Sequence, residues 1–230
     1  MLSFCTSGII MRCSLLSLQA EKFFFDLVTS GATMNLMLTA VLAKGRTILH
    51  NAAVDPEVVD LANLLNLMGG KIKGAGTRKI VIDGVKQLHG CKYRVIPDRL
   101  IAASLLMTVG IAGGKIKLNE VIPEHLESCI QKLKEIGMEF TLDDNIIVGK
   151  KSGSLQGVNV KTGMYPAFAT DIQQPLTSLL LSIDSKSTVT DLVYKNRFAH
   201  VPQLKKMGAD ITVTGNSATI KGGKPYLAVK

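Results

Sequence analysis

Asp171 and Arg197 are the residues best suited to chemistry. Asp171 closes the crowded stretch Tyr165-Pro-Ala-Phe-Ala-Thr-Asp171, and Arg197 follows it across one helical and one extended segment. A carboxylate and a guanidinium at one mouth can take a proton from a hydroxyl and hold an anionic group. The stretch Thr29-Ser30-Gly31-Ala32-Thr33 opens a helical segment. Free N–H groups at a helix start, with a glycine allowing close approach, suit a phosphate, and the same residue types are ordinary helix caps. No Gly-Lys-Ser/Thr follows, so the stretch is not a Walker loop. Asp55-Pro56-Glu57 opens the next helix and sets two carboxylates beside its positive pole, which is equally good capping chemistry. Asp171 also fits an N-cap, as do Asp98 and Thr33 before the corresponding helices. His50, His89, His125 and His200 lie apart and define no Ser/His/Asp triad.

These residues stand at helix starts in a sequence that repeats itself. Leu67-Met68-Gly69, Glu135-Ile136-Gly137 and Lys206-Met207-Gly208 each close a helical run, giving three repeats of about 70 residues. Val58, Leu61, Ala62, Leu65 and Met68 share one helical face, as do Leu126, Cys129, Ile130, Leu133 and Ile136. A hairpin follows each glycine, and another helix with a strand after it precedes each run. The pattern in every repeat is strand, helix, strand, helix, hairpin: a βαβαββ block of an α/β architecture. In the third repeat, Met207, Leu204 and Val201 fit the helical frame, and Arg197 falls where the sister repeats have Val58 and Leu126. Either Arg197 faces the core and meets an anion there, or the third helix starts late.

The chain has 230 residues, 47% of them hydrophobic, enough to bury a core and too many for disorder. No long apolar run escapes interruption by charge, so no membrane span is expected. The N-terminal stretch Met1 to Leu18 has no basic flank and no long apolar core of a signal peptide, so a cytoplasmic location is expected. Basic residues number 27 against 18 acidic, a net charge of +9. That balance favours anionic partners. The basic residues are dispersed and tryptophan is absent, which disfavours nucleic acid and leaves small phosphorylated ligands. Cys5, Cys13, Cys91 and Cys129 form no C-x-x-C pair and have no histidine at a zinc-like spacing, so no metal and no disulfide framework is expected.

The strings Ser30-Gly-Ala-Thr33, Asn51-Ala-Ala-Val-Asp-Pro-Glu-Val-Val-Asp60, Val95-Ile-Pro-Asp-Arg99, Val121-Ile-Pro-Glu-His-Leu126, Tyr165-Pro-Ala-Phe-Ala-Thr-Asp-Ile-Gln173 and Asn196-Arg-Phe-Ala-His200 closely resemble the UDP-N-acetylglucosamine 1-carboxyvinyltransferases. These enolpyruvyl transferases open peptidoglycan synthesis, and the resemblance runs from about Phe24 to Lys230. It implies an inverse α/β barrel fold of βαβαββ units, present here as two incomplete barrels. Residues 1–22 match nothing, residues 23–97 correspond to the last unit of the first barrel, and residues 98–230 to the first two units of the second. It implies phosphoenolpyruvate and UDP-N-acetylglucosamine as substrates and no cofactor. Asp171 is implied as the base at the sugar's 3′-hydroxyl, and Arg197 as an anion-pairing group in the cleft between barrels. Thr29, Ser30, Gly31 and Val193 are implied in the nucleotide-sugar site, with Asp55 and Glu57 near it; Asp55 is shorter than the usual Glu. The family's loop cysteine and several of its basic residues lie outside the matched segment. The expectation is therefore a chain inactive alone, associating with the missing segments or with itself. The alternatives are a non-catalytic remnant that binds a UDP-sugar or a partner chain, and a basic RNA-binding α/β protein.

Overall fold

The computed structural model describes residues 2–6, 9–13 and 19–224, the first two stretches by their backbone alone. The chain divides into two compact units, Met1–Ile96 and Pro97–Lys230. In the first, an antiparallel pair β1 (Leu2–Thr6) and β2 (Ile9–Cys13) precedes β3 (Lys22–Phe24), α1 (Ser30–Ala40), β4 (Arg46–His50), α2 (Pro56–Leu67), β5 (Ile72–Lys73) and β6 (Lys79–Asp83). The second contains α3 (Arg99–Ala112), β7 (Lys115–Asn119), α4 (Glu127–Ile136), β8 (Met138–Asp143) and β9 (Ile146–Lys151). It continues with β10 (Asn159–Thr162), α5 (Gln173–Leu181), β11 (Lys186–Asp191), α6 (Val201–Lys206), β12 (Asp210–Thr214) and β13 (Ser217–Lys221).

The first and third repeats build the same four-stranded sheet, β3-β4-β6-β5 and β10-β11-β13-β12. In each, the first two strands are parallel and the rest antiparallel. The middle repeat gives the same order with one strand fewer, β7-β9-β8. Its expected leading strand is not found. Residues 84–93 instead run beside the helices of the first unit. Val85 N–H donates to Val41 O after α1, and His89 N–H to Met68 O after α2. Those carbonyls have no acceptor role inside their own helices, so they take these donors. The Tyr93 hydroxyl donates to Asp60 Oδ1 at 2.7 Å and anchors the end of the strap.

The first sheet also starts earlier than the repeat suggested. Ala20 N–H donates to Lys44 O, just before β4, and Ile48 N–H of β4 to Glu21 O, which draws residues 20–22 alongside β4 and the segment leading into it. Residues 1, 7–8 and 14–18 of the unmatched segment lie outside the described residues.

The two four-stranded sheets alternate in burial and pack one face on helices. Thr47 and Leu49 of β4 and Ile80 and Ile82 of β6 face one core. Val189 of β11 and Ala218 and Ile220 of β13 face the other, which the middle and third repeats share. All five residues of the second helical stripe, Leu126 to Ile136, are buried as their spacing requires. Gly137 ends α4 in the left-handed conformation, φ 111°.

The third stripe is cut short. α6 begins only at Val201, so Arg197 is in the preceding loop and the core-facing reading does not hold. Pro202 explains the late start. A helix running through Arg197 would place that proline in its interior, where the missing N–H and the ring clash cost about 3 kcal/mol. The prolines that open the other helices, Pro56 and Pro123, stand much farther from their closing glycines.

Gly84 marks a close approach of backbone to backbone. A Cβ there would lie 1.6 Å from Ala43 O. Gly84→Ala is expected to destabilise the first unit by about 2 kcal/mol or more, because main chain rather than a flexible side chain must give way. A denaturant midpoint unchanged from wild type would contradict this.

Candidate functional site

The site residues follow from the parallel pairs. α1 begins beyond the carboxyl end of β3, and α2 beyond that of its parallel neighbour β4. The segments beyond β10 and β11 are related in the same way. Thr29, Ser30 and Gly31 come after β3, and Asp55 and Glu57 after β4. Asp171 comes after β10, and Val193 and Arg197 after β11. Within each unit these residues thus share the edge where parallel strands end and helix N–H groups are exposed, the usual place for ligands on α/β sheets.

In the first unit, Thr29 is the N-cap of α1, its Oγ1 accepting Ala32 N–H at 3.3 Å. Thr33, expected as a cap, sits one turn inside the helix and is fully buried. Its hydroxyl donates to Thr29 O at 2.9 Å and accepts Ala53 N–H at 3.1 Å, which ties α1 to the segment leading into α2. A Cβ on Gly31 would meet nothing within 4 Å, so nothing in this chain's own packing demands glycine there. Asp55 takes the N-cap position of α2 without a side-chain capping bond and is 6% exposed. Glu57 lies in the first turn, where its charge suits the helix dipole. Both residues are engaged in polar or ionic contacts.

In the second unit, Asp171 and Arg197 meet. Arg197 Nη2 donates to Asp171 Oδ1 at 2.6 Å, with the side chains 27% and 49% exposed for Arg and Asp. The capping reading of Asp171 does not hold: it lies in a single 3-10 turn, Thr170–Ile172, and neither that turn nor α5 has a side-chain cap. Asp98, by contrast, caps α3 through Leu100 and Ile101 N–H. Arg197 Nη1 donates to Thr170 Oγ1 at 3.2 Å, and the guanidinium lies 4.9 Å from the Tyr194 ring centroid. Three contacts fix its plane and leave further donors for a ligand. Asp171 Oδ2 has no protein donor among the described residues, so it can accept a proton or a hydrogen bond from a hydroxyl.

Val193 belongs to the same loop, and its N–H donates to Asp191 Oδ1 at 2.9 Å. Asp191 and Thr170 are the two polar residues that sequence reasoning missed. The available signal was Asp191 at an inward position of β11, where Ser187 and Val189 precede it with period two. Cys129 is an inert core residue, its thiol pushed up to about 12 by burial. Among the described residues no group of three His, Cys, Asp or Glu side chains could hold a metal ion. No helix among them is long and apolar enough to cross a membrane.

The family model that matches is EPSP synthase (3-phosphoshikimate 1-carboxyvinyltransferase), over residues 6–229. The chain belongs to the EPSP synthase family of enolpyruvyl transferases. It is 48% identical over 206 residues to UDP-N-acetylglucosamine 1-carboxyvinyltransferase 2 of Bacillus subtilis (strain 168), covering 89% of this chain and 48% of that one. The UDP-N-acetylglucosamine 1-carboxyvinyltransferase of Streptococcus pneumoniae (serotype 2, strain D39) is 45% identical over 90% of this chain and 49% of its own. This chain spans about half the length of the curated relatives it matches. The fold agrees with that of the enolpyruvyl transferase NikO from Streptomyces tendae, at a TM-score of 0.75 and 21% identity, over 86% of this chain and 47% of that one. The EPSP synthase from Acinetobacter baumannii aligns at a TM-score of 0.65 and 22% identity, over 90% and 50%. The βαβαββ repeat is therefore the enolpyruvyl transferase repeat.

His200 closes the loop of this enolpyruvyl transferase repeat that carries Arg197. Burial holds its imidazole below the ordinary value of 6.5, and its Nε2 is buried without a hydrogen-bond partner. The unfolded chain therefore takes up this proton more readily than the folded one. The stability that neutral His200 contributes is complete above pH 6.5 and is lost as pH falls through the lower folded-state value. Denaturant midpoints are expected to drop as pH falls from 6.5 towards that lower value, and less so in His200→Gln. An identical pH slope in the two proteins would contradict the assignment.

Proposed function

We propose that this chain carries part of the machinery that transfers the enolpyruvyl group of phosphoenolpyruvate to the 3′-hydroxyl of UDP-N-acetylglucosamine, the opening reaction of peptidoglycan synthesis. The observation that carries the reading is the Asp171–Arg197 pair, a half-exposed carboxylate held by a guanidinium at the end of a parallel strand pair. The names and identities of the relatives support the choice of amino sugar.

In this reading Asp171 accepts the proton of the 3′-hydroxyl. The freed oxygen forms its bond to the substituted carbon of the enolpyruvyl group, and the bond from that carbon to the phosphate oxygen breaks as phosphate leaves. Arg197 pairs with an anionic group of a substrate, for which a planar fork of donors is suited. In the first unit Thr29, Ser30 and Gly31 offer the N-terminal amides of α1 to the nucleotide sugar; in the second, Val193 belongs to the loop after β11 that carries Arg197. Asp55 and Glu57 border this face from the start of α2. A proton acceptor and a positioned charge each commonly contribute about a hundredfold or more to such a transfer.

Gly31 provides a test that separates binding from folding. Its φ is not in the left-handed region and a Cβ there has room, so Gly31→Ala is expected to leave the melting temperature unchanged or slightly raised. In calorimetry on the 230-residue protein, UDP-N-acetylglucosamine is expected to bind saturably. Gly31→Ala is expected to weaken that binding by about tenfold or more, because a methyl group enters the space of a closely approaching ligand. Absence of binding by the wild-type chain at millimolar ligand overturns the reading. Unchanged affinity in Gly31→Ala removes α1 from the site.

A further inference from the structure

Asp191 is 1% exposed, and every polar atom of it is committed. Its N–H donates to Asn216 O at 2.8 Å, and its own carbonyl accepts Asn216 Nδ2 at 2.9 Å, so the hairpin turn between β12 and β13 clamps its main chain. Oδ1 accepts two consecutive loop amides, Val193 N–H at 2.9 Å and Tyr194 N–H at 2.8 Å. Oδ2 accepts the Thr170 hydroxyl at 2.5 Å. Thr170, 6% exposed, is the residue just before Asp171.

The polarity of this network admits one arrangement. A hydroxyl has a single proton, and a carboxylate can only accept. The Thr170 proton is thus directed to Asp191, and the Thr170 oxygen is left to accept Arg197 Nη1 at 3.2 Å. Arg197 Nη2 reaches Asp171 from the same guanidinium. Tyr194, whose N–H is held by Asp191, supplies the ring beneath that guanidinium. One buried carboxylate therefore fixes the turn carrying Asp171, the loop carrying Val193, and two of the three contacts of Arg197, Thr170 and the Tyr194 ring. Asn51, directly after β4, makes a comparable tie in the first unit, its Nδ2 donating to Phe25 O at 2.8 Å beyond the end of β3.

We infer that Asp191 is a positioning residue for this site, acting through Thr170 and the loop amides to set the geometry between Asp171 and Arg197. The inference rests on the proposed roles of those two residues and deepens them. Asp191 touches no substrate in this account; it orients the groups that do.

The test uses Asp191→Asn, Thr170→Val and Thr170→Ser in the 230-residue protein. Asparagine keeps the shape and removes one acceptor. Valine keeps the shape of threonine and removes the hydroxyl, which serine restores. Two readouts need no ligand: hydrogen exchange of the Val193 and Tyr194 amides, and the side-chain NMR signals of Arg197. The third is the calorimetric affinity for UDP-N-acetylglucosamine. Asp191→Asn is expected to speed exchange at those two amides by about tenfold or more, with the core amides of β9 and β13 unaffected. Thr170→Val is expected to average out the resolved guanidinium signals and to weaken the sugar nucleotide by about tenfold, while Thr170→Ser stays within about threefold of wild type. The inference is overturned if Thr170→Val retains wild-type signals and affinity, or if Thr170→Ser is as impaired as Thr170→Val. Should Asp191→Asn not fold, the Thr170 pair decides. Should the wild type not bind UDP-N-acetylglucosamine, the proposed function fails, and the guanidinium signals of the Thr170 variants still decide for or against the positioning role.

Discussion

Two neighbouring strands that run parallel cannot be joined by a tight turn; the chain must cross back over the sheet before the second strand begins. The pairs β3–β4 and β10–β11 impose that constraint on the first and third repeats, and the helices α1 and α5 are its consequence. Each parallel pair sends both of its following segments out at one edge. Residues more than twenty positions apart, such as Asp171 and Arg197, become neighbours for that reason. The antiparallel hairpins that complete each sheet add stability and a second clamp, seen where Asn216 grips the main chain of Asp191.

An edge where strands stop and helices start is rich in backbone groups without partners. The first and third repeats meet this need with different side chains. In the first, Thr33 from inside α1 takes Ala53 N–H, and Asn51 takes Phe25 O. In the third, a carboxylate does the work, and its charge draws in two amides and a hydroxyl at once. Bonds to an ionised acceptor are stronger than neutral ones, so the loop from Asp191 to Arg197 is held without regular structure of its own. Regular structure there is blocked by Pro202, which delays α6 until Val201.

The strap of residues 84–93 shows how a local preference yields to an unmet need. The repeat pattern calls for a leading strand between β6 and α3, and the strap occupies most of that stretch. The carbonyls that end α1 and α2 compete for its amides and win. The middle repeat consequently has three strands, and β7 pairs on one side only among the described residues.

The repeat, the helical stripes and the residue types of the candidate site are legible in the order of the amino acids. These rest on local periodicity and capping, which act within one turn or one strand and so leave a trace in spacing. Leu126 to Ile136 faces the core as its spacing demands, and Thr29 caps α1 as its type suggests. Arg197 was visible as an oddity, although its place in a loop depended on a proline five residues on whose meaning the helical frame obscured. That Asp171 pairs with Arg197 rather than capping a helix depends on the fold. The same holds for Asp191, a single residue in the inward phase of an ordinary strand. A carboxylate's role depends on which donors the fold brings within 3 Å of it, and those donors come from segments whose meeting is set by strand pairing, not by anything near them in the chain.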